Sequence, residues 1–176
     1  RSSDLNVLFA TRELNLTTEQ FGDVAADGAI VSIVVLFFSG YLMDKLRPLR
    51  IFILTGVIVI FVNVFGYFFV VDYQTFYWIG LAIIVVYAVQ GLCVIPMFAE
   101  LFPEGKFGQY SSANAIINCF GLIVANWAGG KCIDLFGYRF IFIWDFIFTI
   151  VATIALVYVY IEYRRRGGPG HFVAPE

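Results

Sequence analysis

The residues of this chain able to do chemistry fall into three groups. The stretch GYLMDKLRPLR, Gly40 to Arg50, follows a mostly apolar run and sets one acid, Asp44, among three bases, Lys45, Arg47 and Arg50. A carboxylate beside guanidinium and ammonium groups makes charge-assisted hydrogen bonds. Asp27 and Asp145 are acids near the starts of apolar segments, positions from which a carboxyl group can serve a proton or a cation. The third group is neutral: Tyr87 with Gln90, and Asn114 with Asn118, the latter pair spaced to share one face of a helix. Amides and a phenol offer hydrogen bonds and stacking to a polyhydroxylated solute such as a sugar, without adding charge. No Ser/His/Asp or Cys/His set, no metal-spaced cluster and no phosphate-cradling glycine loop accompanies them, so neither an enzyme nor a bound metal or cofactor is expected.

The elements that must position these residues are greasy. Of 176 residues, 61% are hydrophobic and 14% charged, and the mean hydropathy is +0.87, far above an ordinary soluble domain. The chain therefore belongs in a lipid bilayer. A net charge of -2, with bases scattered among short loops, leaves no basic face to follow a phosphate backbone, so no nucleic-acid partner is expected. Cys93, Cys119 and Cys132 lack CxxC or Cys/His spacing and read as buried thiols. The chain opens at Arg1 with no signal-peptide pattern. The segment Arg1 to Ala10 reads as the last turns of a helix that begins upstream, and His171 as solvated in a Gly/Pro tail.

Five segments are long and apolar enough to span: about Val24 to Met43, Ile51 to Val71, Phe76 to Ala99, Phe107 to Gly130 and Phe140 to Ile161. They show no strand alternation, so helices are the way to satisfy their backbones in lipid, and the fold class is all-α. Lys45, Arg47, Arg50, Lys106 and Arg164 to Arg166 collect on one side; Lys131 and Arg139, with Arg12 of the opening segment, lie on the other. The richer side is expected to be cytoplasmic. At the least, then, Lys45, Arg47 and Arg50 orient and anchor two helices. That leaves Asp44 unexplained, since an acid adds little to orientation, and it calls for a partner.

Two stretches echo each other. QFGDVAADGAI, from Gln20, and KFGQYSSANAI, from Lys106, share Phe-Gly and Ala-Ile at the same spacing; Gly40 and Asp44 recur as Gly130 and Asp134, and LRIFI, from Leu49, as YRFIFI, from Tyr138. The spans between these landmarks cross in opposite directions, which is the pattern of an inverted-topology repeat of three helices each.

With these landmarks the chain resembles the C-terminal six-helix half of the major facilitator superfamily. Gly40 to Lys45 is similar to the family's loop motif Gly-x3-Asp-Arg/Lys-x-Gly-Arg-Arg/Lys, with Arg47 where Gly is expected and Pro48 where Arg is expected; Tyr87-Ala-Val-Gln90-Gly91 resembles the pattern Arg-x2-Gln-Gly with Tyr for Arg, which suits the tenth helix. The resemblance implies five complete spans plus the end of a sixth, a half-domain over residues 1–163 and a polar cytoplasmic tail over 164–176. It implies that Gly40, Asp44, Lys45, Arg47 and Arg50 latch onto a helix of a six-helix N-terminal half absent from this chain. It also implies a bacterial inner-membrane location, and a central cavity faced by the first, third and fourth spans.

The resemblance leads to a secondary transporter moving a small organic solute by alternating access, a sugar or glycoside symporter first and a drug or metabolite exporter second. A non-transporting receptor or assembly protein is the competing class. Tyr87, Gln90, Asn114 and Asn118 are candidates to bind solute, with helix-to-helix hydrogen bonding as their alternative role. Asp27 and Asp145 are candidates to couple a proton or cation, Asp145 with Lys131 or Arg139 nearby. Asn63 reads as structural, and Glu100 as a member of the cytoplasmic charge cluster with Lys106.

Overall fold

The structure is a computed structural model and describes residues 7, 9–103 and 105–168. His171, most of the expected tail and residues 1–6 of the expected upstream helix lie outside the described residues. A short π-helical turn, Phe9–Glu13, precedes five long helices: α1, Thr18–Leu46; α2, Pro48–Phe69; α3, Tyr73–Leu101; α4, Phe107–Phe136; and α5, Phe140–Arg165. All five are long and apolar enough to cross a membrane.

Local chemistry, more than hydropathy, sets where the helices begin and end. Thr17 and Gln20 close a capping box on α1, with the Thr17 hydroxyl accepting from the Gln20 amide at 3.2 Å and the Gln20 side chain from the Thr17 amide at 3.0 Å. Helix α1 therefore starts six residues before the apolar span expected from Val24. Pro48 occupies the first position of α2, where its missing amide costs nothing. That helix stops at Phe69, short of the expected Val71, because Val70 and Asp72 are extended and Asp72 starts a second capping box with Thr75. Hydrogen bonds from the Thr75 amide, then its hydroxyl, hold the Asp72 carboxyl below the usual carboxylate range. At the far end α5 runs through Arg164 and Arg165. The first bases of the expected tail are thus helical, where cations favour a helix C-terminus.

Packing runs in a chain: α1 lies against α3, α3 against α2, and α2 against α5, while α4 meets its neighbours only sparsely. Glycines permit the close approaches. A Cβ on Gly56 would stand 2.7 Å from the Thr153 hydroxyl, and one on Gly66 2.5 Å from the Phe142 ring. Both mark an α2–α5 seam as tight as membrane helices achieve with small residues. At the end away from Arg47, Phe9, Val24, Phe76, Ile141 and Phe142 form an apolar core. Arg139 sits beside it, donating to the Tyr67 and Val70 carbonyls at 3.2 and 2.6 Å and to Glu13 at 3.0 Å. It satisfies the C-terminal carbonyls of α2 and ties the start of α5 to the segment before α1.

Two substitutions test this packing by thermal unfolding of the detergent-solubilised protein. Gly66→Leu pushes against Phe142 and is expected to destabilise by about 1–3 kcal/mol, a typical cost of overpacking. Gly22→Ala, where a Cβ meets nothing within 4 Å, is the control and leaves the melting temperature unchanged or slightly higher. Equal melting temperatures for the two would show that α2 and α5 are not in tight contact. Arg139→Ala strands two carbonyls and Glu13 and is expected to lower the melting temperature as well; no change would remove its capping role.

Candidate functional site

The residues Gly40, Asp44, Lys45, Arg47 and Arg50 do not form one cluster. Arg47 pairs with Glu100 of α3 at 3.1 Å, and Glu100 also accepts from the Tyr163 hydroxyl of α5 at 2.6 Å. Arg50 donates to the Tyr160 hydroxyl at 2.9 Å. Both guanidiniums therefore join α1, α2, α3 and α5 within this bundle. Glu100, expected in the charge cluster with Lys106, has Arg47 of that cluster as its ion-pair partner, because the α1–α2 turn brings that guanidinium to the end of α3. Asp44 and Lys45 are exposed on the last turn of α1, and among the described residues Asp44 makes no hydrogen bond or ion pair. Around Gly40 an added Cβ would meet nothing within 4 Å.

Arg47 has a backbone cost. Its φ is 73° and ψ 142°, a region that side chains other than glycine rarely enter and that costs of order 1–3 kcal/mol. The equivalent position after α4 is Gly137, with φ 86° and ψ 168°. The two halves of the repeat thus end their long helices with the same backbone turn, and the glycine absent from the motif at Arg47 is present in the second copy.

A second site lies between α2, α3 and α5. Asp145 stands about 8 Å inside the start of α5, at 1.5 Å per residue. Its Oδ2 accepts from the Asn63 amide of α2 at 3.1 Å and from the Tyr87 hydroxyl of α3 at 2.8 Å. Asn63 is 2% exposed. The cations anticipated beside Asp145 are engaged elsewhere: Lys131 lies over the Trp127 ring at 4.3 Å, and Arg139 caps α2. The spacing of Asn63 with Gly56 and Gly66 places it on the seam face of α2, midway along the tight contact with α5. Asn63, read from the sequence as structural, joins this group as the one amide of its span, where a polar side chain implies a partner; its pairing with Asp145 was not foreseen.

Asp27 on α1 accepts from the Tyr77 hydroxyl of α3 at 2.7 Å. Near this pair, a cavity of about 250 Å³ between α1, α3 and α5 is lined by apolar residues, including Phe21, Val24, Phe76, Ile84 and Phe142. The solute candidates are dispersed. Tyr87 is committed to Asp145, Gln90 is half-buried on the same helix, Asn114 is half-buried on α4, and Asn118 is exposed there. Among the described residues, Ser111 of α4 carries the buried side-chain oxygen that lacks a hydrogen-bond partner, and no three His, Cys, Asp or Glu side chains gather as a metal site requires.

No curated protein and no solved structure matches the chain. The family model of the Major Facilitator Superfamily matches residues 5–174. That match takes in all five spans, the loop from Gly40 to Arg50 and the polar seam of Asn63, Tyr87 and Asp145, and by it the chain belongs to the Major Facilitator Superfamily, a family of membrane transporters.

Proposed function

We propose that the chain is the C-terminal half of a secondary transporter that moves a small organic solute, a sugar or glycoside, by alternating access. One observation carries this reading: Asp44 is an exposed acid in the last turn of α1 whose side chain has no partner among the described residues. An acid there faces the negative end of the helix dipole, the wrong sign for stability. Its presence calls for a positive partner from outside the chain, and the open space at Gly40 leaves room for that helix to approach. A contact of this kind, made in one state of the transporter and broken in the other, biases the equilibrium by its differential energy. Arg47 and Arg50, held by Glu100 and Tyr160, keep the loop in shape beneath it. The reading requires a second six-helix unit, in the same polypeptide or in a partner.

Residues 1–163 then form the transmembrane half-domain, and 164–176 a cytoplasmic tail. The base-rich end, Lys45 to Arg50 with Lys106 and Arg164 to Arg166, faces the cytoplasm of a bacterial cell, across its inner membrane. Solute meets Gln90, Asn114 and Asn118 along α3 and α4, with Tyr87 at the edge of that path. The sparse packing of α4 and the unpartnered Ser111 hydroxyl support a helix whose polar face is completed by solute, water or the other half. Coupling to a proton or cation gradient falls to Asp27 or Asp145. A second reading, an exporter of apolar compounds, draws support from the phenylalanine-lined cavity beside Phe21, Phe76 and Phe142.

Uptake of a labelled sugar into proteoliposomes holding the full-length protein is the test. Asp44→Asn removes a charge-assisted contact of about 1.5–3 kcal/mol. It is therefore expected to cut uptake roughly tenfold or more, at unchanged protein level. Asn118→Ala is expected to raise KM with little change in kcat. Sugar uptake that is absent, alongside efflux of an apolar dye that Phe76→Ala abolishes, would favour the exporter. No transport of either solute by protein that stays folded would overturn both readings.

A further inference from the structure

We propose that the groove between the base-rich ends of α3 and α5 binds one anionic phospholipid, its acyl chain in the groove and its phosphate among the arginines that end α5. The first argument is shape. Helix α3 packs on α1 and α2 and meets α5 only sparsely. Their ends leave a cavity of about 360 Å³, walled by Leu101 and Phe102 on one side and by Tyr158 and Val159 on the other. Tyr163, which also lines it, is buried and fixed by its hydrogen bond to Glu100 at 2.6 Å. Only Glu162 and Arg166 bring charge to the lining, and they pair with each other at 2.7 Å. Tyr158 is 68% exposed, so the groove opens away from this chain's own helices.

The second argument is charge. Residues 162–166 set three guanidiniums against one carboxylate, and Arg166 takes that carboxylate. Glu100 is committed to Arg47 and Tyr163, in a small gap lined by Arg47, Arg50 and Arg164. Lys106 stands at the start of α4, next to Phe107, whose ring lies 6.2 Å from that of Phe102 in the groove wall. Among the described residues Lys106, Arg164 and Arg165 have no ion pair. A helix dipole accounts for cations at a helix C-terminus, but not for an apolar groove beside them. A ligand that suits both has an anionic head and a hydrocarbon chain. A zwitterionic lipid carries its own cation and leaves the excess in place; an anionic phospholipid neutralises it, and arginine grips phosphate with paired hydrogen bonds. Basic pockets between spanning helices hold lipid head groups by this chemistry. The bound lipid bridges α3, α5 and the start of the sparsely packed α4. The site needs a bilayer and not transport, so it stands apart from the transporter reading.

Native mass spectrometry of the full-length protein in detergent, with phosphatidylglycerol and phosphatidylcholine of identical chains added in equal amounts, tests the site. One phosphatidylglycerol is expected to be retained in preference to phosphatidylcholine by roughly tenfold or more, and Arg165→Gln or Lys106→Gln to cut that preference about fivefold. Arg12→Gln removes the same charge from an exposed position before α1 and is expected to change nothing. Val159→Trp fills the groove without altering charge and is expected to abolish the preference; should it not fold, Arg165→Gln against Arg12→Gln decides alone. Equal retention of the two lipids, equal losses in Arg165→Gln and Arg12→Gln, or folded Val159→Trp that still prefers phosphatidylglycerol would each overturn the proposal. So would displacement of the lipid by free glycerol phosphate, which marks a phosphate site without a chain, or lipid bound only after residues 169–176 are removed, which gives the groove to the tail.

Discussion

Lipid hydrocarbon offers no hydrogen-bond partner, so each backbone amide and carbonyl within a span must be paired inside its own segment, and helices follow from that alone. The same constraint then falls on side chains. Ser32, Ser39 and Thr55 meet it locally, each hydroxyl donating to the carbonyl four residues earlier at 2.7 to 2.9 Å. Longer side chains cannot fold back in this way. Asn63, Tyr77, Tyr87, Asp27 and Asp145 reach across to another helix, and these cross-helix bonds, together with the glycine contacts, decide which helix faces which. The unsatisfied groups concentrate at helix ends, where Thr17, Asp72 and Arg139 take them up.

The repeat shows how one turn solves the same problem at opposite faces of the membrane. Each long helix, α1 and α4, must reverse into the next span within a few residues, and the backbone does so through a positive φ at Arg47 and at Gly137. Glycine adopts that conformation freely. An arginine there stays only if something else fixes it, and the ion pair with Glu100, together with Pro48 directly after, supplies that. The partly exposed Arg47–Glu100 pair is worth on the order of 1 kcal/mol or less. It therefore offsets only part of the strain at Arg47, and the turn is held rather than over-stabilised.

Hydropathy made the five spans legible, because apolar length is a property of consecutive residues. Helix ends were less so: Thr17 with Gln20 and Asp72 with Thr75 are readable capping signals, yet they lie outside the apolar runs that define the spans. The repeat was legible too, through Gly40 and Asp44 against Gly130 and Asp134. Partnerships were not. Asp145 and Asn63 are 82 residues apart, and Arg47 and Glu100 are 53 apart. Spans that are apolar all round carry little periodic signal to say which face meets a neighbour. Proximity in sequence suggested Lys131 or Arg139 for Asp145, and helix packing chose otherwise; for Glu100 it gave the charge cluster and not which base of it, Arg47, would pair.

The α2–α5 seam shows why the polar group sits where it does. Gly56 meets Thr153, Asn63 meets Asp145 and Gly66 meets Phe142, in antiparallel order along two straight stripes. The glycines let the helices come close enough for the short Asn63 and Asp145 side chains to touch directly, at 3.1 Å. Tyr87, the longest of the three, closes the remaining side from α3. In surroundings of low dielectric a hydrogen bond is stronger than in water, and a polar group left without one costs more. The seam therefore places a cross-helix polar contact of α2 and α5 where the glycines bring the two helices together, and the two donors to Asp145 bind three helices through a single oxygen.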